Sequence, residues 1–292
     1  MPANRELSTE NAPHLVLFSQ FADVCDHLGM KRSASAHLEL EALGPAELVL
    51  SVTVAAEASA TELLTVVQNG TTLAYRETLD QHGTRLQLIS VQAGRITIDY
   101  TVEVSGEAEP PEVSDIDIVR YLRPSRYCES DHLWPTAQAE FRGLTGTDLL
   151  DAITSWVGRH LSYVPGASLP TDGAVRTLLA RQGVCRDYAH LVIAFLRAHD
   201  VPARLVSVYA PGLSPMDFHA VAEAYLDGAW QVVDATGLAP RQTLMRIATG
   251  RDAADTAFLS SAGAAVLLHV LTVTAVADVL PRDDVSLPAR LA

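Results

Sequence analysis

The sequence predicts an α+β fold in which a small β-rich domain precedes a second domain of mixed helices and strands. Three observations predict it. Short β-type runs follow one another from about Ala36 to Ser105, and a segment rich in Pro and Glu comes next. Beyond that segment, helical patterns are followed by strand-like runs. The 292 residues, 48% of them hydrophobic, are enough for one large domain or two ordinary ones.

In the N-terminal part, residues 1–34 show no strong period and predict an extension, whereas residues 35–106 predict the β-rich domain. Its strand-like runs cover residues 37–40, 47–55, 63–68, 84–91 and 95–104. The last run, RITIDYTVEV, alternates polar and apolar side chains as a half-buried antiparallel strand does. Five runs at this spacing favour a small β-sandwich or barrel. The stretch Ser105–Glu112 (SGEAEPPE) is typical of a linker.

Residues 107–292 predict the second domain. Helical spacing of apolar residues marks Asp148–His160 and Cys185–His199, and Gly173–Leu179 is compatible with a short helix between them. Strand-like runs then cover residues 203–209, 219–225 and 230–233. A Val- and Leu-rich stretch at residues 262–280 predicts a buried strand rather than a membrane span, because His269 and Asp278 interrupt it.

The charge balance limits the partners. The net charge is -14 and no dense Lys/Arg cluster is present, so nucleic acid and anionic membrane surfaces are not expected as partners. The polar N-terminus has no apolar signal core, so we expect a cytoplasmic protein. The sequence does not indicate an oligomeric state.

Three cysteines are present, Cys25, Cys128 and Cys185, and none forms a CxxC or CxxH pair, so we predict neither a metal site nor a cofactor. Cys185 opens a predicted helix, where free N–H groups and the positive end of the dipole favour a thiolate. The same N–H groups could bind the oxyanion of an acyl intermediate. Cys128 has no matched histidine, and Cys25 lies too close to His27 to form a comparable site.

A proton partner for Cys185 is predicted on the strands that follow the helix. His219 opens one strand-like run and Asp234 ends the next, with the Asp-Gly turn signal of residues 227–228 between them. If the runs pair as a hairpin, their ends bring His219 and Asp234 together, within a one-residue offset or bulge. Each residue alone also fits a structural role. Together they predict a Cys-His-Asp arrangement for nucleophilic catalysis.

Four neighbouring residues are weaker candidates for substrate or oxyanion contacts. Gln182 could donate to an oxyanion or lie exposed in a loop, and Trp156 could cover the thiol or pack in the core. Asp187 could line the site or cap the helix. Asp217 could tune the histidine or shape its loop.

A family resemblance rests on four segments: GVCRDYAH (183–190), VPAR (201–204), DFHA (217–220) and VDAT (233–236). They resemble the core of the bacterial transglutaminase-like superfamily over about residues 154–256. Residues 122–127 and the β-rich region resemble the two-part architecture of its bacterial members. The resemblance implies a papain-like core in which the Cys helix packs on an antiparallel sheet, with Cys185 as nucleophile, His219 as base and Asp234 orienting it. Val221 departs from the pattern, since many relatives have Trp there, and this predicts an altered sheet face or acyl pocket.

The leading hypothesis is therefore a cysteine enzyme that acts on a peptide, protein or amide substrate through a thioester, with hydrolysis favoured over transamidation. One alternative is a catalytically silent binding or scaffold module that retains the fold. Another is a metal hydrolase that uses His132, His160 and His190, although these residues lack a recognisable ligand spacing.

Overall fold

The computed structural model describes residues 29–56, 58, 60–106, 113–285 and 287–291. Most of the predicted N-terminal extension, with Cys25 and His27, lies outside the described residues. The first strand begins at Lys31, inside the segment 1–34 that the sequence analysis assigned to the extension. The burial pattern explains why the strand begins this early, because every second side chain from Arg32 onwards is buried.

Two antiparallel sheets form a β-sandwich. The strands of the N-terminal part are β1 (Lys31–Ala42), β2 (Ala46–Leu50), β3 (Ala60–Gln68), β4 (Thr71–Thr72), β5 (Arg76–Leu79), β6 (Arg85–Val91) and β7 (Gly94–Ser105). Two strands from the other end of the chain complete the sheets: β14 (Leu259–Gly263) and β15 (Val266–Ala277). The sheet orders are β15-β1-β7-β3-β4 and β14-β2-β6-β5. Leu38, Leu48, Ile89 and Ile98 from both sheets share one buried core.

The sandwich therefore contains strands from both ends of the chain, whereas the sequence analysis assigned only residues 35–106 to it. β15 pairs with β1 and β14 pairs with β2. The expectation that the stretch at residues 262–280 is a buried strand was wrong about burial. β15 is a strand, but it lies at a sheet edge and leaves Leu267 and Leu268 each 44% exposed.

The rest of the chain packs helices against a separate antiparallel sheet. The helices are α1 (Asp115–Leu122), α2 (Ser130–Glu140), α3 (Gly146–His160), α4 (Ala174–Ala180), α5 (Cys185–Ala198) and α6 (Ala253–Thr256). The strands are β8 (Ser162–Tyr163), β9 (Gln182–Gly183), β10 (Ala203–Tyr209), β11 (Phe218–Leu226), β12 (Ala229–Val233) and β13 (Met245–Gly250). The four long strands form a sheet of order β12-β11-β10-β13, and β8 pairs with β9 in parallel.

Helix α5 is the centre of this second region. Its apolar residues, among them Leu191, Val192 and Phe195, are fully buried against α2, α3 and the small side chains Ala220 and Ala222 of β11. Alanines on the sheet let the helix approach closely, because they add little volume between the two backbones. The predicted α+β fold, with the Cys helix packed on an antiparallel sheet next to a β-sandwich, is confirmed. Within the described residues, no helix is long and apolar enough to cross a membrane.

The sandwich and the second region are joined by one continuous core. Tyr209, Met245 and Ile247 from β10 and β13 are buried in the core of the sandwich. The Tyr209 hydroxyl donates to the carbonyl of Val52 at 2.7 Å. This shared core places one end of the sandwich next to the N-terminal end of α5.

Candidate active site

Cys185 is the first residue of α5, as predicted, and its side chain is partly exposed. Asp187 is fully buried and caps the helix, since the N–H of Val184 donates to its Oδ2 at 2.8 Å. This contact assigns Asp187 to helix capping rather than to the site lining. Gly183 makes room for the cap, because a Cβ there would lie 2.6 Å from the Cβ of Asp187. The helix therefore begins at Cys185, the residue that carries the sulfur.

His219 and Asp234 are brought together by the β11–β12 hairpin. Nε2 of His219 lies 2.8 Å from Oδ2 of Asp234, and both side chains are buried. Leu226 pairs with Ala229, so the hairpin turns on two residues, and Ala222 pairs with Val233. Continued by one residue, this register sets Asp234 opposite Val221 and makes it the diagonal neighbour of His219. In this register His219 lies opposite Thr236, so the offset to Asp234 is two residues rather than the one that was predicted, and the two side chains share one face of the hairpin.

The carboxylate of Asp234 is held in the ionised form that such a contact needs. Burial raises the pKa of Asp234, but the hydrogen bonds with His219 and Thr236 and the charge of His219 lower it overall. Its Oδ1 accepts from the Thr236 N–H at 2.8 Å and from the Thr236 hydroxyl at 2.7 Å. An ionised carboxylate only accepts hydrogen bonds, so Nε2 of His219 carries a proton.

The second ring nitrogen of His219 is available to the cysteine. Nδ1 is buried and has no hydrogen-bond partner among the described residues. Burial lowers the pKa of His219, but the hydrogen bond with Asp234, the interaction with the Cys185 side chain and both charges raise it to about 10. Nδ1 is therefore the ring atom that can exchange a proton with the sulfur.

A cleft of about 600 Å³ opens beside Cys185 and His219. Its walls come from three parts of the chain: the start of α5, the strands β10, β11 and β13, and the sandwich together with the segment that leads into β14. This volume is typical of a site for a small molecule or a few residues of a peptide. The sulfur and the imidazole are thus next to a space that can hold a substrate.

Of the remaining predicted site residues, Asp217 lines the cleft, whereas Gln182 and Trp156 do not. Burial raises the pKa of Asp217. Gln182 is exposed in β9, so the structure does not bring it to the cleft. Trp156 is 8% exposed and packs edge-on against Phe141 and Phe195, so it belongs to the core and does not cover the thiol.

Tyr163 is a neighbour of Cys185 that the sequence analysis missed. It lies in β8, which pairs with the residues just before Cys185. Burial raises the pKa of the Tyr163 hydroxyl to about 12, and the charge of Cys185 contributes. A two-residue strand has too little periodicity to be found from sequence. Its position at the parallel β8–β9 pair is set by long-range pairing.

The metal-hydrolase alternative is not supported by the positions of its three histidines. Nε2 of His190 accepts the N–H of Ala253 at 3.2 Å, and His160 stacks on Trp156. His132 is exposed. In the described part of the chain, no group of three or more His, Cys, Asp or Glu side chains is placed to hold a metal ion. Cys128 is fully buried, and burial raises the pKa of its thiol.

Val221, the departure from the family pattern, is buried with Val206, Val208 and Val232. It is not among the residues that line the cleft. The substitution was predicted to alter either the sheet face or the acyl pocket, and the position of Val221 matches an altered sheet face.

Comparison with known proteins gives two findings about the family. The family model of the transglutaminase-like superfamily matches residues 137–235, a segment that contains Cys185, His219 and Asp234. A crystal structure of a protein from Cytophaga hutchinsonii, described as a "putative cysteine protease", is 32% identical to this chain with a TM-score of 0.79. The match covers 87% of this chain and 92% of that chain, so it includes most of the β-rich region as well.

Two mycobacterial relatives match over shorter segments. An uncharacterized protein of Mycobacterium leprae is 29% identical over 142 residues, which are 43% of this chain and 50% of that protein. An uncharacterized protein of Mycobacterium tuberculosis is 30% identical over 116 residues, 40% of this chain and 31% of that protein. This chain therefore spans half or less of the length of these curated relatives.

Proposed function

We propose that this chain, which belongs to the transglutaminase-like superfamily, hydrolyses amide or peptide bonds with Cys185 as its nucleophile. One observation carries the proposal. His219 contacts Asp234 through Nε2 and leaves a buried, unpartnered Nδ1 beside Cys185 and the cleft. A sulfur, a proton acceptor and a carboxylate in this order are the parts of an activated nucleophile.

The reaction would proceed in two acyl transfers. The Cys185 sulfur attacks the substrate carbonyl carbon after its proton has moved to Nδ1 of His219. The tetrahedral intermediate then breaks the C–N bond, the amine leaves with the proton from His219, and an acyl thioester remains on Cys185. Water adds to the thioester with His219 as base, and the C–S bond breaks to give a carboxylic acid and the free thiol. Asp234 keeps the imidazole oriented and stabilises its charged form.

The start of α5 would stabilise the oxyanion of each tetrahedral intermediate. The first N–H groups of a helix have no partner within the helix. Asp187 takes the N–H of Val184, but the N–H of Cys185 lies beside the sulfur at the positive end of the helix dipole. Such a donor, fixed before the reaction, is the usual way to stabilise a developing oxyanion.

Hydrolysis is favoured over transamidation as the fate of the thioester. The two reactions share every step up to the thioester and differ in the acceptor that resolves it. The relative from Cytophaga hutchinsonii, which matches over most of the chain, is described as a "putative cysteine protease". This supports water as the acceptor in this chain.

The test is turnover of fluorogenic peptide, isopeptide and simple amide substrates by the wild type and by Cys185→Ala. We expect Cys185→Ala to lose activity by at least about 10⁴-fold while its circular dichroism stays unchanged. Cys128→Ala is the matched control, because it removes a thiol away from the cleft and is expected to keep its activity. Mass spectrometry of the products with and without an added primary amine separates hydrolysis from transamidation.

The silent scaffold is the outcome that would contradict the proposal. Iodoacetamide would then modify Cys185 slowly, at a rate that His219→Ala does not change, and no probe would be turned over. Under the proposal, Cys185 is alkylated much faster than Cys128, and His219→Ala slows the reaction.

A further inference from the structure

The cleft is lined by apolar side chains on both sides. Leu205 and Ile247 come from the sheet of the second region, and Phe258, Leu259 and Leu271 come from the C-terminal segment and the strands that complete the sandwich. Burying an apolar side chain against such walls is favourable because it removes apolar surface from water. A substrate would therefore gain most of its binding energy here from a large apolar group.

Two serine hydroxyls interrupt the apolar lining, and neither has a hydrogen-bond partner among the described residues. Oγ of Ser51 and Oγ of Ser207 are both buried and unpartnered, and both serines line the cleft. Ser51 is 2% exposed and directly follows β2 in the sandwich. Ser207 lies in β10, opposite Ala220 of β11, the residue next to His219. Buried polar groups are normally hydrogen-bonded, so two such hydroxyls in one cleft indicate a missing partner.

The charged groups of the cleft do not favour a charged substrate side chain. Among the described residues that line it, Arg186 and Asp217 are the charged side chains apart from His219. The charge of Arg186 is already balanced, since its Nη2 donates to the Asp187 carboxylate at 3.1 Å as well as to the Ser168 hydroxyl and the Leu169 carbonyl, both at 2.9 Å. Its Nε is buried and has no hydrogen-bond partner among the described residues. Asp217 would repel a carboxylate. A charged end group would lose its hydration between the apolar walls, and Arg186, the cation that lines the cleft, is already paired with Asp187.

We infer that the cleft selects an acyl donor whose side chain is large, mainly apolar and uncharged and ends in a hydrogen-bonding group, as tyrosine does, with Ser51 and Ser207 as specificity-determining residues. This inference rests on the proposed function, because it names the substrate class of the same site. It gives the sandwich a role in recognition, since Ser51 belongs to that region.

The experiment compares N-acetyl-amino-acid coumarin amides that differ only in the acyl residue: Tyr, Phe, Glu and Lys. For the wild type we expect kcat/KM for the Tyr probe to exceed that for Phe by about tenfold, and the Glu and Lys probes to be slowest. Ser51→Ala and Ser207→Ala should each lower the Tyr-to-Phe ratio of kcat/KM towards one. Ser90→Ala is the matched control, because the Ser90 hydroxyl donates to Glu47 on an exposed face of the sandwich.

A second measurement separates this inference from the proposed chemistry. Cys185→Ala is titrated with N-acetyl-tyrosinamide and N-acetyl-phenylalaninamide, and binding is followed by saturation-transfer NMR. Tighter binding of the tyrosine ligand, lost in the Ser207→Ala double variant, supports the inference even if the wild type cleaves none of the probes. In that case the proposed hydrolysis alone fails.

The opposite pattern would overturn the inference alone. If the wild type cleaves the probes with equal rates for Tyr and Phe, or if both serine variants keep the wild-type ratio, the hydroxyls do not select the substrate. Preference for the Lys or Glu probe would also overturn it. If no probe is cleaved and neither amide binds, both the inference and the proposed function are wrong.

Discussion

The protonation of His219 depends on two partners on opposite sides of its ring. Asp234 contacts Nε2, and Cys185 lies on the side of Nδ1. Burial disfavours the charged imidazole, but the two partners more than offset it and raise the pKa of His219 to about 10. At neutral pH the imidazole is therefore charged.

The raised pKa of His219 predicts a pH-dependent contribution to stability. A group whose pKa is higher in the folded state stabilises the fold fully below its unfolded value of 6.5. That contribution declines as the pH rises from 6.5 through about 10. We expect the stability advantage of the wild type over His219→Gln to be largest at pH 6 and to shrink steadily towards pH 10. Urea unfolding at several pH values measures it.

Asp234→Asn serves as the comparison for this prediction. Without the carboxylate, the main cause of the raised pKa of His219 is gone, so the decline above pH 6.5 should be much weaker than in the wild type. Parallel pH profiles for the wild type and both variants would contradict the prediction.

For individual residues, the sequence was sufficient to predict that Cys185, His219 and Asp234 lie close together. Each had a local signal: a helix start, the start of a strand and the end of the next strand around an Asp-Gly turn. The unpartnered hydroxyls of Ser51 and Ser207 had none, because the two serines line the same cleft only once the sandwich packs beside β10. Tyr163 was missed because β8 has only two residues and its position depends on pairing with β9.

At the scale of elements, the start of α5 depends on a close contact between Gly183 and Asp187. The Asp187 carboxylate accepts the N–H of Val184, and its Cβ sits where a side chain at position 183 would have to go. The Cβ of a helical residue cannot swing away as the end of a long side chain can. The position of the sulfur is therefore tied to the absence of a side chain two residues earlier.

Gly183→Ala tests this contact. Because the added Cβ would lie 2.6 Å from the Cβ of Asp187, we expect a loss of about 1–3 kcal/mol in the free energy of unfolding. Urea denaturation measures it. Gly29→Ala is the control, since nothing lies within 4 Å of a Cβ there, and we expect a change below about 0.5 kcal/mol. Equal small changes in both variants would show that the cap tolerates the methyl group.

Element boundaries in the second region followed from sequence where periodicity was strong. The run at residues 203–209 matches β10, and Cys185–His199 matches α5 within one residue. Helices α1 and α2 were not predicted. α1 is only eight residues long and leaves its apolar Ile116 and Val119 exposed. α2 contains Pro135 in a mainly polar segment and lacks the apolar repeat that marks a helix. Packing against α5 stabilises α2 instead.

At the scale of the whole molecule, a buried group of charges lies between the sandwich and the second region. Glu223 of β11 accepts from Nε of Arg204 at 2.7 Å and from Nη2 of Arg246 at 2.8 Å. Nη1 of Arg204 also lies 3.3 Å from Nδ1 of His82, which belongs to the sandwich. Burial raises the pKa of Glu223, but the two arginines lower it to about 2. The carboxylate of Glu223 is thus the hydrogen-bond partner and counter-charge of two buried guanidinium groups.

Glu223→Gln is expected to be strongly destabilising. It keeps the shape of the side chain but leaves Arg204 and Arg246 without their counter-charge, and breaking a buried ion pair typically costs about 3–5 kcal/mol. Denaturant unfolding measures the change. Glu47→Gln is the control, because Glu47 is exposed and its carboxylate accepts a hydrogen bond from the Ser90 hydroxyl without pairing with a buried cation in the described structure. A loss below about 1 kcal/mol would show that the two arginines find other partners.

The assignment of strands to the two regions was the feature that the sequence predicted least well. Local patterns identified the β-rich segment and the helical segment, but the return of β14 and β15 to the sandwich depends on pairing across the whole chain. No local signal distinguishes an edge strand that completes a distant sheet from one that continues the nearest sheet.

The pairing of β1 with β15 also has a consequence for biosynthesis. The N–H of Lys31 donates to Asp278 at 3.1 Å, a contact between residues 247 positions apart. On the ribosome, β1 and β2 emerge first and have to wait for β14 and β15, which emerge after the whole helical region. Contacts this distant in sequence form slowly. We therefore expect that the thiol is translated and its helix folded before Leu259 and Leu271 arrive to close the cleft, so the site is complete only after β15 has been synthesised.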